Sequence, residues 1–76
     1  MNITTKYTTT ATGAGRVTAK GGGKQRTLPY DHEASPARNH GLAAGELAKV
    51  LNLTWSDDVT HMGFNDQTHK FNFPEA

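Results

Sequence analysis

Cysteine is absent from the 76 residues. That excludes disulfides, thiolate metal sites and a cysteine nucleophile, and makes a reducing cytoplasm the expected setting. Long apolar runs are absent too: none approaches the ~18 residues of a membrane span. The stretch 1–10 is polar and threonine-rich, with neither a charged n-region nor an apolar h-region, so neither secretion nor membrane insertion is expected. Hydrophobic residues are scarce, at 34% of the chain. A chain of this size buries only ~60% of the surface it exposes when unfolded, so the expectation is one domain over residues 1–76 with a thin core. Such a core predicts help from self-association into a homo-oligomer.

Acidic residues are missing from the first thirty positions. Lys6, Arg16, Lys20, Lys24 and Arg26 give that half +5, while seven acids against Arg38, Lys49 and Lys70 give the remainder −4, so the net +1 conceals a strong asymmetry. A basic module suits an anionic partner. Mutual neutralisation of the two halves across the fold is the competing explanation.

What is present organises into short elements. Ile3 to Thr10 is dense in β-branched residues and alternates Ile3, Thr5, Tyr7 against Thr4, Lys6, Thr8, the period of a strand. Gly13-Ala14-Gly15 interrupts it, and Arg16 to Lys20 resumes it with Val17 and Ala19 on one face, which predicts a hairpin. Gly21-Gly22-Gly23 marks the next reversal, and Lys24 to Tyr30 a third strand that Pro29, lacking an N–H, confines to an edge. Ser35-Pro36 reads as an N-cap followed by proline at the first helical position. The helix runs to about Leu51, with Ala43, Ala44, Leu47, Val50 and Leu51 as its packing stripe and Asn52 as its stop. Val59 to Phe64 and Thr68 to Phe73 alternate around Asn65-Asp66 as a second hairpin, with Phe71 and Phe73 on one face. The predicted fold is α+β, a small antiparallel sheet with one helix packed on it, in the order β-β-β-α-β-β.

Polar side chains concentrate where the third strand meets the helix: Tyr30, Asp31, His32, Glu33, Ser35, Arg38, Asn39 and His40. A helix start presents unpaired N–H groups and about half a positive charge, so it suits an anion; the competing reading is that Asp31 and Ser35 cap the helix while Tyr30 and His40 fill the core boundary. Arg38 and His40 fall outside the assigned packing stripe and are expected to serve binding rather than folding. Asp31, His32 and Ser35 are triad residue types without a nucleophile elbow or oxyanion hole. Gly13-Ala14-Gly15-Arg16 and Gly21-Gly22-Gly23-Lys24 match neither a P-loop nor a dinucleotide fingerprint and read as hairpin turns. His61 and His69 are expected to face each other across the last hairpin, where His32 or His40 could complete a metal site, but the spacing matches no metal signature and none is assigned.

Three stretches carry a resemblance: Thr12-Gly-Ala-Gly-Arg16-Val17, Pro29-Tyr30-Asp31-His32, and Asn39-His40-Gly-Leu-Ala43-Ala44-Gly-Glu-Leu47-Ala48. They resemble a group of very small accessory proteins of tailed bacteriophages and prophages. That group combines an Arg-Ile or Arg-Val strand, a Pro-Tyr-Asp turn and an Asn-His-x-x-Ala-Ala helix ending near a tryptophan like Trp55. The match covers roughly residues 1 to 55, and the additional arginine that the group often carries around Gly13 is lacking here. The resemblance implies a phage accessory protein in the cytoplasm of an infected bacterium. By analogy with phage proteins that disarm host defences, it also implies a sponge for nucleotide immune signals, such as cyclic ADP-ribose isomers, histidine-ADP-ribose or cyclic dinucleotides.

The leading functional expectation is therefore a non-enzymatic protein that sequesters a nucleotide-like anionic small molecule, without cofactor or catalytic residues. Its candidate ligand-binding residues are Arg16, Tyr30, His32, Arg38, Asn39 and His40. Direct inhibition of a host protein ranks second. A nucleic-acid-binding module ranks third, favoured by the basic strands and Tyr7 but lacking a basic recognition helix or an aromatic platform.

Overall fold

The computed structural model describes residues 1–9, 11–63, 65 and 67–74. In chain order its elements are β1 (Asn2–Thr9), β2 (Gly15–Gly21), β3 (Lys24–Pro29), α1 (Pro36–Val50), β4 (Thr60–Gly63) and β5 (Thr68–Asn72). The α+β fold and the β-β-β-α-β-β order are as the sequence predicts. The predicted strand end at Thr10, the strand end at Phe64 and the turn residue Asp66 lie outside the described residues.

In space the strands lie β3-β2-β1-β5-β4, with each neighbouring pair antiparallel. Composition explains the order. β5 buries Phe71 and is followed by buried Phe73, so it takes the inner place beside β1. β4 has Thr60, His61, Met62 and Gly63, all exposed, and is left at the edge. Pro29 puts β3 at the opposite edge. The β1–β5 seam continues past the strands: the Met1 amine donates to the Phe73 carbonyl at 2.7 Å, and the Phe73 N–H donates to the Met1 carbonyl at 2.8 Å.

Local signals place the connections. Gly22 and Gly23, at φ 57° and 77°, form a two-residue turn between β2 and β3 of the kind that demands positive φ at both positions. The Ser35 Oγ accepts from the Arg38 N–H at 3.2 Å, capping α1 with Pro36 in its first turn. At the other end Asn52 turns left-handed at φ 58°, and the Asn52 and Leu53 N–H groups reach back to the Lys49 and Ala48 carbonyls. That is the paired closure of a Schellman motif, with asparagine in the place glycine usually takes.

The core lies between α1 and one face of the sheet. Ile3, Val17, Ala19, Phe71 and Phe73 meet Ala43, Ala44, Leu47 and Ala48 there. Three of the four helix residues are alanine, so α1 can lie close to the sheet while burying little side-chain area of its own. No described helix is long and apolar enough to cross a membrane.

Candidate functional site

Strand alternation and register decide what the uncovered face displays. Across that face, Lys20 of β2, Thr4 of β1 and Lys70 of β5 stand in one row. Thr18, Lys6 and Thr68 form the next row, and Arg16 stands beside Thr8 in a third. Thr27 and Gln25 extend the rows onto β3, and Asn2, Asn72 and Thr60 lie at the other end. The face is thus built from four cations, hydroxyls, amides and the exposed Met62 beside Lys70, with no carboxylate among the described residues on these strands. Thr4, Lys6, Thr8, Thr18, Lys20, Gln25 and Thr27 line a shallow depression of about 490 Å³.

The described acids lie elsewhere. Asp31 and Glu33 are in the β3–α1 connection, Glu46 is on α1, and Asp57 and Asp58 precede β4. The ion pair seen among the described residues, Lys49 with Glu46 at 3.1 Å, is on the helix. The cations of the open face make none there, so their charge projects into solvent.

The six residues singled out from the sequence do not converge. Arg16 lies on the open face, because its neighbours Gly15 and Val17 turn toward the core. Tyr30 lies toward α1, its ring 4.6 Å from Tyr7 and 5.0 Å from exposed His32. Arg38 is exposed in the first turn of α1. Asn39 is buried and holds the connection shut: its Oδ1 accepts from the Asp31 N–H at 2.7 Å, and its Nδ2 donates to the Asp31 and Ser35 carbonyls at 2.9 and 3.0 Å. Asn39 is thus occupied with turn geometry.

The helix start is also less open than the sequence suggests. Pro36 has no N–H, Ser35 Oγ takes that of Arg38, and the Ser35 carbonyl takes that of Asn39. Asp31 and Glu33 stand in the adjoining turn and repel an incoming anion.

His40 departs furthest from the binding expectation and agrees with the alternative that it fills the core boundary. It is fully buried, shares a 2.6 Å hydrogen bond between its Nδ1 and Thr5 Oγ1, and stacks on His69 with ring centroids 3.9 Å apart. His40 is therefore a core residue. The signal was available: His40 stands three, four and seven residues before Ala43, Ala44 and Leu47, extending their stripe by one turn. His61 and His69 do face each other across the last hairpin, with Nε2 of His61 2.5 Å from Nδ1 of His69. Lys6 and Lys20 come together through the β1–β2 hairpin, whereas Lys70 joins them only because β5 lies beside β1, which no local pattern announces.

Comparison of the chain with protein-family models, with curated proteins and with solved structures finds no match.

Proposed function

We propose that the protein is a non-enzymatic nucleic-acid-binding module whose open sheet face lies against a phosphate backbone. The observation that carries this is the gathering of Lys6, Arg16, Lys20 and Lys70 on one face that holds no carboxylate among the described residues. Threonine hydroxyls between the cations supply further donors to phosphate oxygens. The face is broad and shallow, a shape that fits an extended polyanion better than an enclosed small molecule. Among the described residues the face displays no aromatic ring, and contacts to phosphate read no sequence, so binding is sequence-tolerant and steeply dependent on salt. The resemblance to small phage accessory proteins would put such a module in an infected bacterial cytoplasm.

A second reading retains the small nucleotide-like ligand. The ring series Tyr7, Tyr30, His32 favours it, because the exposed imidazole of His32 offers a face on which a base can stack. Fluorescence anisotropy separates the two. Labelled single-stranded and duplex oligonucleotides should bind, with log K falling linearly in log[salt] and the slope shrinking by ~1 for each lysine removed from the open face. Tight, salt-insensitive binding of a mononucleotide or cyclic dinucleotide, with no oligonucleotide binding, would replace the first reading with the second.

A further inference from the structure

Away from the basic surface, at the β4–β5 edge and on the side facing α1, the structure brings two imidazoles together. Gly63 pairs with His69 and His61 pairs with Phe71, so the two histidines are diagonal neighbours on that face. Nε2 of His61 and Nδ1 of His69 share a 2.5 Å hydrogen bond, so one of them carries a proton that a metal ion displaces. The two rings differ in freedom. His69 is only 6% exposed and lies face to face with His40. Gly63 also lies close against it: a Cβ at that position would stand 3.2 Å from the His69 Cε1. His61 is exposed, rests on Phe71 at 4.3 Å, and belongs to a four-residue edge strand, so its ring can turn.

We propose that His61 and His69 form a two-imidazole chelate for a divalent late transition ion. Imidazole nitrogens select Cu²⁺, Ni²⁺ and Zn²⁺ over Mg²⁺ and Ca²⁺, which take oxygen ligands. With metal–nitrogen bonds of ~2.0–2.1 Å, adjacent donors stand ~2.9 Å apart in a square plane and ~3.3 Å apart in a tetrahedron. The pair opens least for the square plane, the geometry of Cu²⁺ and Ni²⁺. His40 stays outside the ligand set, because its Nδ1 is engaged by Thr5 and its ring lies flat against His69. No group of three or more histidine or acidic side chains able to hold a metal occurs among the described residues, so two imidazoles leave positions for water or an outside ligand.

The test is calorimetric titration of Ni²⁺ into the full chain in a non-chelating buffer, beside thermal melting with and without saturating Ni²⁺. One equivalent should bind, and the melting midpoint should rise because the folded state alone holds the chelate. His61→Ala removes an exposed side chain, so the variant should fold, bind Ni²⁺ about tenfold or more weakly and lose the rise in midpoint. His32→Ala, an exposed histidine elsewhere, should leave both readouts unchanged. Undiminished Ni²⁺ binding in His61→Ala, or a wild-type midpoint that saturating Ni²⁺ does not move, overturns the proposal.

Discussion

On β1, Ile3, Thr5 and Tyr7 turn toward α1, whereas Thr4, Lys6 and Thr8 turn away, so one strand serves two surfaces with opposite requirements. On the covered side a polar atom has to find a protein partner, and Thr5 and His40 provide one for each other at 2.6 Å. On the open side water satisfies every polar group, so lysine and threonine can be placed for a ligand at little cost in stability. The contrast predicts that substitutions on the covered face register in melting, and substitutions on the open face in binding.

Leu47→Ala should strike hardest. It removes a fully buried side chain and should cost about 2–5 kcal/mol, enough to leave the chain largely unfolded in urea titrations. Thr5→Val keeps the volume but strips the hydroxyl from buried His40, so a loss of about 1–3 kcal/mol is expected in the same assay. If Thr5→Val melts like the wild type, the hydrogen bond to His40 contributes nothing. Lys20→Ala should leave stability within about 0.5 kcal/mol while weakening oligonucleotide binding and reducing its salt slope by ~1. Arg38→Ala should change melting and oligonucleotide affinity least. A larger loss of affinity from Arg38→Ala than from Lys20→Ala would move the site back to the helix start.

Local patterns made most of the fold legible. The alternation of Ile3, Thr5 and Tyr7, the Ser35-Pro36 start, the Asn52 stop and the edge role of Pro29 each rest on a few adjacent residues, and each reappears in the structure. The order of strands across the sheet was not legible in the same way, because it follows from which hairpin partner carries the phenylalanines. The site was affected accordingly. Arg16 is legible from its own strand, but its companion Lys70 reaches the open face through the distant pairing of Thr4 with Lys70. The polarity of His40 and Asn39 suggests solvent, although His40 sits in phase with the helix stripe and Asn39 is consumed by the turn it closes.

The seam between β1 and β5 also sets a timetable. A short loop separates β1 from its β2 neighbour, whereas β5 begins at Thr68, thirty-nine residues after β3 ends at Pro29. At ~5–20 residues per second a ribosome needs about 2–8 s to cover that distance. Throughout that interval one edge of β1 stands unmatched and Ile3 lacks the cover of Phe71, its partner across the seam. An unmatched edge recruits other strands. The outward-facing Lys6 in the middle of β1 is then placed to discourage such recruitment in the nascent chain, before the same charge becomes part of the finished surface.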